Sequence, residues 1–142
     1  MFDITNTAVQ ETAPIHLKDA AGELLYADAD RNKPVRIVIY GPGSAAFGLV
    51  EGRQSTRAVK RMQDNDGKIT VAPMEDRVRE AAEDLAAITV RFENLSYPPA
   101  GNAEGTALFT ALYADQTLGF IAKQVSRFVA DWGNFKAASA AA

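Results

Sequence analysis

The most ligand-like stretch of the chain is Asp64-Asn65-Asp66-Gly67-Lys68-Ile69, since oxygen donors alternating ahead of a glycine turn are how calcium loops are built. The register excludes that use. With Gly67 as sixth residue, Met62 would stand first and Pro73 twelfth, so the opening carboxylate and the closing bidentate Glu are both missing. The stretch is read as a helix-ending turn, in which Asn, Asp and Gly tolerate a tight backbone. Asp28, Asp30 and Asn32 fail the same test, with Lys33 at the glycine position and Ile39 at the glutamate position. Gly41-Pro42-Gly43-Ser44-Ala45-Ala46-Phe47-Gly48 lies between a strand-like run and a helix-like run, the setting in which backbone amides can hold a phosphate. Leu49-Val50 follows Gly48 where a phosphate loop needs Lys-Ser/Thr, and the third glycine of a dinucleotide fingerprint is absent. A strand-to-helix turn is the reading, with a small anion-binding protein built on Gly41–Gly48 as an alternative.

The chain has no cysteine and one histidine, which removes disulfides, thiolate metal sites, iron-sulfur clusters and thiol catalysis together. His16 alternates with Ile15 and Leu17, so it points to solvent or a sheet edge, and spacing nominates no Ser or orienting residue beside it. Glu75-Asp76 and Glu83-Asp84 sit in a charged amphipathic run, where paired carboxylates are a solvated face more often than an acid-base pair. No catalytic, cofactor-binding or metal-binding residue can be named, and the chain is expected not to be an enzyme.

Two patterns suit partner binding instead. Arg53, Arg57, Lys60 and Arg61 fall at i, i+4, i+7 and i+8, one basic stripe on a helix. It is either a solvated face balanced by Glu51 and the acidic loop, or a contact for an acidic partner protein. Nucleic acid is disfavoured by a formal net charge of -3 and a pI of about 5.1. Phe120, Phe128, Trp132 and Phe135 form an aromatic set that is mostly core, but Phe120, Ala122 and Val129 lie beside its seam, so part of that surface is left for self-association or a partner helix.

The elements that must carry these residues follow from periodicity. The chain of 142 residues, 47% hydrophobic and 23% charged, is the size of one domain with one core. Residues 1–13 read as a loose arm ending at Pro14, and Ile15–Lys18 and Glu23–Tyr26 as a hairpin around the turn Asp19–Gly22. Val35–Tyr40, the most β-branched run, is a third strand. Ser44 caps a helix running to about Gln63, weakened by Gly48 and Gly52 at roughly 1 kcal/mol each. Ile69-Thr70-Val71 is extended, and Pro73 opens a helix bearing Val78, Ala82, Leu85, Ile88, Phe92 and Leu95, although Ile88-Thr89-Val90 would equally make its end a strand. After the loop Tyr97–Asn102 come a short helix Glu104–Ala114 and a terminal helix of about five turns with Leu118, Ile121, Val125, Phe128, Trp132 and Phe135 along one side. The expected fold is α+β: a small N-terminal antiparallel sheet over 14–40, then about four helices over 44–136, in a single domain 1–136 with a flexible tail 137–142. No Lys or Arg precedes Lys18 and no uncharged run is long enough to span a bilayer, so neither a secretory signal nor a membrane segment is expected.

The order of these pieces resembles the tail assembly chaperones of long-tailed bacteriophages and prophages. The resemblance covers about residues 14–136 and rests on the strand running into Gly41-Pro42-Gly43-Ser44, on Thr89-Val90-Arg91-Phe92-Glu93-Asn94-Leu95, and above all on Leu112-Tyr113-Ala114-Asp115-Gln116-Thr117-Leu118-Gly119-Phe120-Ile121-Ala122-Lys123-Gln124-Val125 through Asp131-Trp132-Gly133-Asn134-Phe135. Ser44–Lys60 fits it less well, being richer in glycine. The resemblance implies a protein of the host bacterial cytoplasm, without cofactors and absent from the mature virion. Its client would be the tape measure protein, held soluble until tail tube subunits polymerise around it, with self-association and contact to the tail tube protein as further partners. In that scheme Phe120, Phe128, Trp132 and Phe135 serve client or self-contact, and Arg53, Arg57 and Arg61 fix orientation. A virion structural or minor tail protein is the alternative of similar composition.

Overall fold

The computed structural model describes residues 1–68 and 71–137. Three strands, β1 (Thr12–His16), β2 (Arg36–Tyr40) and β3 (Thr89–Glu93), form one antiparallel sheet in the order β1-β2-β3. Four helices accompany it: α1 (Ala45–Asp64), α2 (Met74–Ala87), α3 (Gly105–Ala114) and α4 (Gly119–Ala130). The class is α+β. No helix among the described residues is long and apolar enough to cross a membrane.

The sheet is assembled differently from the expected hairpin plus third strand. Val35–Tyr40 is the central strand, as its β-branched run demands, because a strand buried along both neighbours must be apolar at successive positions. Ile37, Val38 and Ile39 are all buried. Its first neighbour is not Glu23–Tyr26 but Thr12–His16, in the register Thr12 with Tyr40 and His16 with Arg36. The supposed loose arm therefore ends in a strand, and Val9 farther back bridges to Lys136. The Glu23–Tyr26 segment does turn back over Leu17, with Leu25 N–H on the Leu17 carbonyl at 3.0 Å, but it makes only isolated bridges to Lys18 and Pro34. The second neighbour comes from the far half of the chain. β3 pairs Arg36 with Glu93 and Ile39 with Thr89, with a bulge opposite Val38/Ile39. The β-branched run after α2 thus resolves as strand, and Phe92 and Leu95 leave the α2 helix. The division into a β part at 14–40 and a helical part at 44–136 gives way to a sheet whose edges come from residues 12–16 and 89–93.

Ser44 caps α1 as expected: its Oγ accepts from Phe47 N–H at 3.2 Å and donates to the Gly41 carbonyl at 2.7 Å. α1 ends in the acidic turn, where Asp66 and Gly67 take positive φ and Gly67 N–H closes on the Met62 carbonyl. The extended reading of Ile69 and Thr70 and the tail reading of 138–142 lie outside the described residues. α2 packs chiefly on α3, placing Ala82, Leu85 and Ala86 against Phe109, Leu112 and Tyr113.

The five-turn terminal helix is shorter than its spacing suggests. α4 stops at Ala130, and Asp131 turns extended so that its carboxylate accepts from Gly133 N–H, starting a 3-10 turn over Trp132–Phe135. Asp and Asn favour such local bonds and Gly disfavours helix continuation, and Asp131, Gly133 and Asn134 all fall here. The consequence is that Trp132 and Phe135 no longer share a face: Trp132 is 55% exposed and Phe135 1%.

Candidate functional site

The predicted basic stripe exists, but three of its cations turn inward. On α1, Arg53, Arg57 and Arg61 face α2, where Asp84 and Glu80 recur at the same four-residue interval. Arg53 reaches the Asp84 carboxylate through Nη2 at 2.8 Å and Nε at 3.2 Å, and Gln54 Nε2 takes its other oxygen at 3.0 Å. Arg57 bridges Asp84 and Glu80, and Arg61 closes the ladder on Glu80. The Arg61 guanidinium bonded to it holds the Glu80 carboxyl below the usual glutamate range, Arg57 adding to the same effect. These arginines are therefore mounting groups for α1, committed to α2. The Glu83-Asp84 pair thus does not lie wholly on a solvated face, since Asp84 is taken up by α1; the shared i,i+4 spacing of Arg53, Arg57 and Arg61 with Glu80 and Asp84 is the signal that the two runs pair.

The same arrangement leaves several aliphatic side chains on the outer side of α1 uncovered. Val50 is the only buried residue of its twenty. Leu49 is 77% exposed, Val59 54% and Met62 42%, with Gly52, Ser55 and Thr56 between them. Leu49 stands near the start of the helix and Val59 and Met62 near its end, uncovered aliphatic side chains among small and polar residues that a partner can cover.

The aromatic set divides. Phe135 belongs to the core, its ring edge-on to Phe128 with centroids 5.5 Å apart, and is removed from the surface candidates. Phe120 and Phe128 are half-buried at the core margin, and Trp132 stands exposed beside Gly43. Gln124, on the same helix, clasps the Lys18 backbone twice, accepting its N–H at 2.9 Å and donating to its carbonyl at 2.6 Å. Sequence reasoning missed that clasp because the two residues are 106 positions apart.

Between α2 and α4 runs a groove of about 800 Å³. Val78, Ala81, Leu85, Tyr113 and Ala122 line its apolar part, Met74 and Phe120 stand at its sides, and Arg77 and Lys123 lie on its rim. Its floor is held rigid by a hydroxyl relay: Thr89 Oγ1 donates to the Leu85 carbonyl at 2.8 Å, so the Tyr113 O–H donates to Thr89 at 2.7 Å. Burial pushes the Tyr113 phenol up to about 12, the Thr89 bond opposing it. At one end Asp115 accepts from Thr117 and from Tyr97 O–H, and those bonds draw its carboxyl below the usual aspartate range.

The remaining sequence candidates are structural in their geometry. The Ser44 hydroxyl is spent on the α1 cap, and the Gly41 N–H is bonded to the Glu11 carbonyl at 2.8 Å, so the Gly41–Gly48 segment is a strand-to-helix turn. His16 Nε2 bonds the Leu25 carbonyl at 2.8 Å and its ring lies edge-on to Tyr26. No group of three or more metal-ligating side chains is gathered among the described residues. Comparison with protein-family models, with curated proteins and with solved structures finds no match to the chain.

Proposed function

We propose that the chain is a tail assembly chaperone that binds the tape measure protein and keeps it soluble during phage tail morphogenesis. The observation that carries this reading is the outer side of α1, where Leu49, Val59 and Met62 remain uncovered while the helix is fastened through its arginines. A helix that commits its arginines to its own fold and leaves large aliphatic side chains uncovered offers those side chains to a partner. An extended helical client suits that role, because many weak apolar contacts repeated along it accumulate avidity. The sequence resemblance in the C-terminal block names the client. The protein acts without chemistry of its own, in the host cytoplasm, and does not remain in the finished particle.

Co-expression with a candidate tape measure protein, a long helical client, tests the reading. The expected result is co-purification with a larger soluble fraction of the client, and loss of both on Leu49→Ser/Val59→Ser, a surface change that leaves the fold intact. A well-folded chain that neither retains nor solubilises that client, or that is found as a stoichiometric component of purified particles, overturns it in favour of a virion component.

A further inference from the structure

We propose that the groove between α2 and α4 is a docking site for an amphipathic helix whose flanks carry carboxylates. This deepens the client-binding reading and rests on it for the identity of the occupant. The groove has the two parts such a helix needs. Its floor is apolar and made of small side chains, Ala81 and Ala122 flanked by Val78 and Leu85, which lets a helix approach closely. Arg77 on α2 and Lys123 on α4 stand along its rim, and among the described residues neither is within ion-pair distance of a carboxylate. Farther along the outer side of α4, Arg127 and Lys18 make no ion pair among the described residues and line the neighbouring depression with Phe120, Gln124 and Asp19, whose carboxylate accepts from the Ala21 and Glu23 N–H groups.

Charge decides the occupant. Of the six arginines on α1, α2 and β3, five are paired with carboxylates among the described residues, and the exception, Arg77, is the one that lines this groove. The one carboxylate lining the groove, Asp115, is occupied by Thr117 and Tyr97. A second copy of this chain offering the outer side of α1 would bring only Glu51 and Asp64 against Lys60, its arginines being held by Asp84 and Glu80, and so little charge to match a positive rim. An acidic amphipathic helix satisfies rim and floor together, which that face of α1 does not.

The test uses the full chain and fluorescently labelled synthetic peptides of about five turns, one with a leucine stripe flanked by Glu and one with each Glu replaced by Lys. The acidic peptide is expected to bind saturably, tenfold or more weakly to Arg77→Glu/Lys123→Glu, and tenfold or more weakly to Ala81→Trp, whose indole fills the groove from an exposed helix position. Unchanged melting temperatures of these surface variants establish that loss of binding is not loss of fold. Absence of binding to the folded chain, equal binding of the Lys peptide, equal binding to Ala81→Trp, or displacement of the peptide by duplex DNA at the same concentration overturns the proposal. The two readings fail separately. Peptide binding in the groove with no tape measure co-purification leaves the groove standing and removes the client; co-purification undiminished by Arg77→Glu/Lys123→Glu removes the groove and leaves the client.

Discussion

The packing of Gly41 against Phe135 gives the sharpest physical test of how the C-terminal segment is locked into the fold. A Cβ added at Gly41 would lie 2.5 Å from Phe135 Cδ1, 2.7 Å from Cε1 and 2.8 Å from Cγ, about 1 Å inside ordinary contact. The backbone at Gly41 does not require glycine, since its φ is not positive, so the cost of Gly41→Ala comes from the ring alone. The ring has little freedom to retreat: it is 1% exposed and packed on Phe128, and its carbonyl accepts from Gln10 N–H at 2.7 Å. Overpacking of this kind costs about 1–3 kcal/mol, reduced by about 0.4–1 kcal/mol because alanine restricts the unfolded chain. Phe135→Leu alone costs about 1–2 kcal/mol through lost volume. Together they are expected to cost less than the sum by about 1 kcal/mol, since the leucine vacates the space the methyl needs. Urea denaturation of the four proteins followed by circular dichroism measures the cycle. Additive effects, or a neutral Gly41→Ala, would refute the argument that this close approach fixes the segment.

Three further outcomes are expected. Trp132→Ala, at a position 55% exposed, should change stability by less than about 1 kcal/mol, against about 3–5 kcal/mol for Phe135→Ala; similar losses in thermal melts would place Trp132 in the core. Tyr113 should make the protein alkali-sensitive. With the folded phenol at about 12 and an ordinary value of 10.0, the folded state holds more protons between these limits, so stability is full below pH 10 and falls as pH rises, by about 2–3 kcal/mol at most. Tyr113→Phe should reduce that decline in denaturation curves taken from pH 9 to 12, leaving the smaller part owed to Tyr97, whose phenol is also raised by its bond to Asp115. Glu80 works in the opposite direction: its folded value lies below 4.5, so the stability it contributes is complete above that pH and is lost as pH falls through the lowered value. Glu80→Gln should therefore be less stable than the parent at pH 7 and converge with it in acid, and a gap that persists at pH 2 would contradict the pairing.

Local signals in the sequence placed most elements, and long-range pairing decided what they became. Ser44, Pro73 and the acidic turn mark helix ends through geometry set within a few residues, and both ends of α1 and the start of α2 fall where those residues stand. The β-branching of Val35–Tyr40 identified the central strand, but which segments flank it depends on contacts spanning the chain. Thr12–Ala13 carries no periodicity by itself, and Thr89–Glu93 follows a helix whose apolar spacing runs on through Phe92 and Leu95. Period alone was likewise unable to stop α4 at Ala130, because a 3-10 turn begun by Asp131 maintains the spacing to Phe135 while rotating Trp132 outward. For the site, the spacing of Arg53, Arg57 and Arg61 was visible and its target was not. The partner acids are 19 to 31 residues away, and a charge run reads as solvated until the facing helix is known. The groove carried no signal at all, since Arg77 and Lys123 are single charges on separate helices.

The mounting of α1 explains why its exposed face matters more than its charges. An amphipathic helix ordinarily fixes itself by burying an apolar stripe. Here the side toward α2 presents Arg53, Gln54, Arg57 and Arg61, and Val59 lies half a turn around the helix from buried Val50. The partly exposed ion pairs that hold it contribute on the order of 1 kcal/mol or less each, a small return against the cost of ordering a helix that otherwise packs on little. Beyond Val50 the helix buries no residue, so its local stability is expected to lie below that of the sheet and of α2 and α3. A partner covering Leu49, Val59 and Met62 would supply the apolar burial that the chain itself withholds, at roughly 1.5–3 kcal/mol for each side chain fully enclosed. Ordering of α1 and engagement of that partner are then a single thermodynamic event, so salt or acid that loosens the arginine ladder weakens the partner's hold without touching any residue it contacts.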